Sequence, residues 1–190
     1  MSLLDLFIEA GNLKRLPRTG WLLAGGVPNP ESVAEHGYRV ALITLFLADE
    51  LGGENGIDVD VGRAVKIALL HDLAEARITD VPLTAQRYLN KAEAERKAAM
   101  ELFAGGTSKP GGEYFQLWRE YEDGLSREGK LVRFADKLEM LVQALEYEKA
   151  GFRNLDDFWG GTLEELRESE FYGYFRDLVE ELAALRGGRR

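Results

Sequence analysis

Apolar positions recur three and four residues apart along most of this chain, and alternating stretches are few, so the pattern predicts an all-α fold. A short first helix is expected over about Ser2 to Asn12. An irregular stretch follows, punctuated by Pro17, Gly20, Gly25, Gly26, Pro28 and Pro30, long enough to suggest a functional loop. The second helix opens at the capping box Ser32-Val33-Ala34-Glu35 and should end near Gly52-Gly53. Its stripe of Val40, Ile43, Leu47 and Leu51 extends back by one step of four to His36, which therefore points inward.

A third helix is expected behind a cap at Asp60, with a stripe of Val61, Val65 and Ala68 that steps onto Asp72. A carboxylate on a buried stripe needs a cation, because burying it charged and unpaired is costly. Helical spacing would place Glu75 on one face with His71 and Asp72. A fourth helix from about Ala85 to Ala104 should end at Gly105-Gly106, and a fifth covers about Glu113 to Gly124. The sixth carries Leu131, Phe134, Ala135, Leu138, Leu141, Val142 and Leu145, interrupted by Asp136, and a final helix runs from about Phe171 to Leu185. With no internal repeat or low-complexity block, a single domain over residues 1–190 is expected.

Composition narrows the partners. The chain has 45% hydrophobic residues, yet no apolar run long enough to span a bilayer, and Asp5 and Glu9 stand where a secretory signal would be basic. A soluble, cytoplasmic protein without membrane partners is expected. The absence of cysteine removes thiolate ligands, so any metal must be held by His, Asp and Glu. A formal net charge of -9 repels polyanions and argues against a long nucleic acid, whereas a small phosphate ester remains admissible beside a metal and one or two local cations. The terminal Gly187-Gly188-Arg189-Arg190 reads as a frayed tail.

Only two histidines occur, His36 and His71, and both are expected to point inward. With Asp72 and Asp136 they make a mixed nitrogen and oxygen set, suited to one divalent ion (Co, Mn, Zn, Fe, Ni or Mg) with positions left for water and substrate. The first-turn position of His36 disfavours the imidazolium and keeps the ring ready for a metal. Glu75 is a further carboxylate able to protonate an alkoxide leaving group or orient water. Arg18 competes with Lys14, Arg15 and Arg39 for a phosphate-clamping role. No cluster of Lys and Arg is evident around these motifs, which favours a monophosphate. Trp21, Trp118 and Trp159 are by default core or interface residues. Glu31, Glu35 and Glu139 are candidates to orient ligands, although capping already explains Glu35.

The order His36, His71-Asp72, Asp136 on three helices resembles the HD-domain metal-dependent phosphohydrolase superfamily. More narrowly, the chain is similar to its 5′-deoxynucleotidase branch in Leu16-Pro17-Arg18-Thr19-Gly20-Trp21, Glu31-Ser32-Val33-Ala34-Glu35-His36, His71-Asp72-Leu73-Ala74-Glu75, Ala135-Asp136-Lys137-Leu138-Glu139, Leu117-Trp118-Arg119-Glu120-Tyr121-Glu122 and Leu145-Glu146-Tyr147-Glu148. The resemblance implies a compact helical bundle, often a homodimer, that removes the 5′-phosphate of deoxynucleoside monophosphates with one divalent metal. It places His36, His71, Asp72 and Asp136 as metal ligands, Glu75 as catalytic acid and Arg18 as the phosphate-orienting arginine. It also places Asp80, Val81, Pro82 and Leu83 on a nucleotide-contacting loop, and Trp21 as the counterpart of a sugar-contacting ring. Two departures stand out. Thr19 and Gly20 separate Arg18 from Trp21, where some members have the two adjacent, and Thr79 replaces an expected glycine before Asp80. The alternatives are hydrolysis of another nucleotide phosphate ester, and a non-catalytic metal- and nucleotide-binding HD module.

Overall fold

The computed structural model describes residues 2–53, 56–104 and 112–188. Among them every regular element is a helix. The order is α1 (Leu3–Ala10), a 3-10 turn at Gly11–Lys14, α2 (Thr19–Leu23), α3 (Val33–Gly53), α4 (Val61–Leu70), α5 (Glu75–Ile78), α6 (Leu83–Gln86), α7 (Lys91–Ala104), α8 (Gly112–Glu122), α9 (Arg127–Lys149), α10 (Asp156–Glu168) and α11 (Tyr172–Gly187). No helix of the described residues is long and apolar enough to cross a membrane.

Helices α3, α4 and α9 pack against one another, α10 and α11 cover a further side of α9, and α7 and α8 flank the remainder. The core runs through Val40, Leu47 and Leu51 of α3, Ile67 and Ala68 of α4, Leu131, Leu138, Leu141 and Leu145 of α9, and Trp159, Leu166 and Val179 beyond. A smaller cluster joins Leu73 and Ala74 to Ala99, Leu102, Phe103 and Trp118.

The caps work as the sequence suggests. Ser32 and Glu35 exchange hydrogen bonds at the start of α3, with Ser32 N–H donating to Glu35 Oε2 at 2.7 Å and Glu35 N–H to Ser32 Oγ at 3.2 Å. Asp60 accepts from Arg63 N–H at 2.9 Å ahead of α4.

Several expectations are corrected. The deep face of α4 is Ala64, Ile67 and Ala68, while Val61 and Val65 are only half-buried. α4 stops at Leu70, so Glu75 does not continue it. The chain tightens through bonds such as Leu73 N–H to Leu70 carbonyl at 3.1 Å and Glu75 N–H to Asp72 carbonyl at 3.0 Å, three residues apart, and Glu75 opens α5. The expected helix from Ala85 is two, because Asn90 accepts from Glu93 N–H at 3.2 Å and starts α7 afresh. Its expected stop at Gly105-Gly106 lies outside the described residues. The pattern does not announce α2 or α10. The Gly160-Gly161 pair lowers the propensity of α10, which forms because Trp159, Thr162 and Leu166 are buried on one side.

Candidate metal centre and phosphate site

Buried nitrogen atoms define the centre. His71 closes α4, and its Nδ1 lies 2.6 Å from the Ala68 carbonyl oxygen, an acceptor. That contact assigns the proton to Nδ1 and leaves the Nε2 lone pair free. On α3, His36 is fully buried, with Nδ1 2.5 Å from Glu139 Oε2 of α9. Glu139 accepts in turn from Arg39 Nε at 2.8 Å. Both Nε2 atoms are sealed from solvent without a hydrogen-bond partner.

Carboxylates face these two nitrogens. His36 Nε2 is 3.1 Å from Asp136 Oδ1 and 3.6 Å from Asp72 Oδ2, and His71 Nε2 is 3.2 Å from Asp72 Oδ2. One ligand atom each from His36, His71 and Asp136 lie within 4.8 Å of one another. Tyr121 donates its hydroxyl to Asp136 Oδ2 at 2.9 Å, and Trp118 Nε1 donates to the His71 carbonyl at 3.1 Å, so α8 braces both.

The electrostatics call for positive charge. Burial works against the carboxylate of Asp72, but His71, Arg18 and His36 outweigh it and hold the group well below the ordinary range. Asp136 is likewise held ionised against burial, by His36 and His71. Burial and Arg18 oppose a charged His36, yet Asp136 and Glu139 push it up to about 10. Two ionised carboxylates facing two partnerless imidazole nitrogens suit a divalent cation, so the residues present fit the metal that the sequence predicts.

Arg18 reaches this centre from the loop before α2. Leu16 and Val33 flank an antiparallel bridge of Pro17 with Ser32, Val33 N–H donating to the Leu16 carbonyl at 2.9 Å, and Arg18 N–H donates to the Glu31 carbonyl at 2.9 Å. The Arg18 guanidinium approaches Asp72 Oδ2 at 3.4 Å, with 17% of its side chain exposed. Burial opposes its charge, but Asp72, Asp136, Glu75 and Asp80 more than compensate. Two of its rivals are engaged elsewhere. Arg39 is held by Glu139, Gln143 and Glu146, and Arg15 by Asn12.

Glu75 is 1% exposed, with Oε2 unpartnered and Oε1 3.8 Å from Lys91 Nζ. Burial and the neighbouring Asp72 push its carboxyl up to about 9, so it keeps its proton at neutral pH.

A cleft of about 590 Å³ opens beside Asp72, large enough for a mononucleotide-sized ligand. Here the sequence reading is corrected. Lys91, Lys130, Arg133 and Lys137, scattered over α7 and α9, do gather at this cleft. Acidic residues offset most of that charge: Lys91 lies 3.0 Å from Glu95, Lys130 2.9 Å from Glu170 and Lys137 3.2 Å from Glu165. Lys91, Tyr121 and Arg133 were not among the sequence candidates. Only the Lys91-Glu95 spacing of four carried a signal.

Trp21 is corrected as well. It is 2% exposed, its ring centroid 4.2 Å from that of Phe158 with the planes tilted by 30°, and its indole N–H donates to Glu31 Oε1 at 3.0 Å. Displaced by Thr19 and Gly20 into α2, it packs in the core and offers no open face to a sugar. Asp80 lies beside Thr19, its carboxylate engaged by that residue, while Leu83 is exposed.

Residues 10–170 match the family model described as HD domain. The chain belongs to the HD-domain family. A 5′-deoxynucleotidase HDDC2 of Dictyostelium discoideum is 42% identical over 148 residues, 77% of each chain, and the human HDDC2 is 34% identical over 97% of this chain and 86% of its own. Among solved structures, a conserved hypothetical protein of Pyrococcus furiosus superposes with a TM-score of 0.86 at 52% identity, covering 95% of this chain and 99% of that one. A predicted metal-dependent phosphohydrolase of Magnetospirillum magnetotacticum gives 0.72 at 25% identity over 96% and 91%. For this HD-domain chain the all-α bundle and the hydrolase class stand together.

Proposed function

We propose that this HD-domain protein is a single-domain phosphomonoesterase that removes the 5′-phosphate of deoxynucleoside monophosphates. The observation that carries the reading is the pair of partnerless Nε2 atoms of His36 and His71 facing Asp72 and Asp136, with Arg18 and protonated Glu75 beside them. Relatives named 5′-deoxynucleotidase, matched over most of the chain, support the substrate class.

His36, His71, Asp72 and Asp136 would hold one divalent ion. When bound, such an ion polarises a phosphoryl oxygen and lowers the pKa of water. Arg18, charged and pre-placed, binds the phosphate dianion with its planar fork. Glu75 holds a proton in a desolvated pocket, and delivering it to the 5′-oxygen relieves the charge of a poor alkoxide leaving group. A non-catalytic module has no use for that buried acid.

The acidic relay behind the site has its own part. Arg39 and Glu139 fix the His36 ring, as hydrogen-bonded carboxylates do for metal-bound histidines. The exposed stripe Tyr38, Leu42 and Phe46 along α3 supports a homodimer, which light scattering would test. The same reading places the enzyme in the cytoplasm.

The deciding experiment measures phosphate release from paired deoxy- and ribonucleoside monophosphates with Co, Mn, Zn, Fe, Ni and Mg. Turnover favouring the deoxy substrates is expected, and no turnover with any pair refutes the reading. Glu75→Ala should keep the metal and lose roughly a hundred- to ten-thousand-fold in rate. A variant with undiminished turnover removes Glu75 from the chemistry, and one that loses the metal makes it a ligand.

A further inference from the structure

Arg18 is useful only if its guanidinium is aimed, and the residue that follows it is fastened to a distant part of the chain. Thr19, the first residue of α2, directs both its amide N–H and its hydroxyl at Asp80. The hydroxyl lies 2.7 Å from Asp80 Oδ2 and 2.8 Å from the Asp80 carbonyl oxygen, so its single proton has two acceptors within reach. On the other side Arg18 N–H is fixed to the Glu31 carbonyl at 2.9 Å. The backbone carrying Arg18 is therefore tied down both before and after its side chain.

The far half of this fastening is itself held under strain. Thr79 has φ 67° and ψ 166°, and among the described residues it is the only non-glycine with positive φ. That region is essentially a glycine one, and a β-branched residue stays there only when its surroundings over-determine it. Asp80 follows at once, and Gln86 Nε2 donates to the Val81 carbonyl at 3.0 Å, closing the loop from its other end.

We propose that Thr19 and Asp80 are positioning residues that form a clamp on Arg18, so that their contact serves phosphate binding through Arg18. The proposal rests on the phosphohydrolase reading. The displacement of Trp21 by Thr19 and Gly20 then has a consequence: the position after the arginine is given to a hydroxyl that locks the loop. The Asp80 oxygen aimed at Thr19 lies within hydrogen-bond reach of both donors of that one residue.

The test uses the metal-loaded full-length protein. Inorganic phosphate binding is followed by calorimetry, and kcat and KM are measured for one deoxynucleoside monophosphate. Thr19→Val keeps the branched shape and the amide bond while removing the hydroxyl. It should weaken phosphate binding and raise KM by the same factor, about two- to tenfold, the worth of one hydrogen bond. Thr19→Ser should restore both, and if Thr19→Val does not fold, Thr19→Ala against Thr19→Ser makes the same comparison. In an Arg18→Ala background the Thr19 substitution should change nothing further, since the two act as a unit. A full Thr19 effect that persists without Arg18, unchanged phosphate binding, or a loss confined to binding of the deoxynucleoside product overturns the clamp. Those results in an active wild-type enzyme refute the clamp alone, whereas a wild type that releases no phosphate from any nucleotide refutes the phosphohydrolase reading and the clamp with it.

Discussion

Thr79 and Glu31 are two side chains held away from their intrinsic preferences. Thr79 is exposed, so its side chain contributes little to packing, and its backbone conformation carries about 1–3 kcal/mol of strain. Glycine removes that strain at an entropic cost of up to about 1 kcal/mol. Thr79→Gly should therefore stabilise the protein by about 1 kcal/mol in a denaturant titration; destabilisation would mean the turn is not strained. Glu31 is pushed by burial and by Glu139 from an ordinary value of 4.5 up to about 7. Between those limits the unfolded chain releases a proton that the folded chain retains, so this group's contribution to stability falls as pH rises. The melting temperature of the wild type relative to Glu31→Gln should decline from about pH 4.5 to 7 and level off above. A difference that rises over the same window contradicts the assignment.

At the scale of elements, α3 and α9 meet through His36, Glu139 and Arg39, three residues fixed before any metal arrives. Glu139→Gln keeps an oxygen for the His36 Nδ1 proton but removes the charge that makes the ring a better donor. Metal titration of the apo variant should show affinity reduced about ten- to a hundredfold, and unchanged affinity would make the contact purely structural. The same junction shows what the sequence carries. His36 was legible because a capping box fixes the start of α3 and its stripe then counts back to the ring. Asp136 was legible as a carboxylate interrupting an apolar run. The turn that moves Glu75 onto α5 was not, because a switch to bonds three residues apart leaves hydrophobic periodicity almost unaltered. Nor was the cleft, whose lysines and arginine converge from α7 and α9 only after the bundle packs. Trp21 misled for a related reason: it is buried against Phe158 of the unannounced α10, a neighbour that helical periodicity does not reveal.

For the whole molecule, the centre lies where α3, the end of α4 and α9 converge, so binding there joins three parts of the bundle. An ion that binds only the folded chain stabilises it by mass action, by about 2.7 kcal/mol at a hundredfold excess over its dissociation constant. Opposing this, the apo centre is not bare: His36 is drawn toward protonation by Asp136 and Glu139, and Arg18 lies beside Asp72. Those cations leave the apo protein folded but less stable. Chelation should therefore lower the melting temperature reversibly, and restoring one equivalent of metal should return it. His71→Ala removes a buried nitrogen that nothing else in the centre replaces, so added metal should raise its melting temperature far less than it raises that of the wild type. Equal melting with and without metal in the wild type, together with no saturable site in a titration, would show that the two imidazoles and two carboxylates balance one another without an ion.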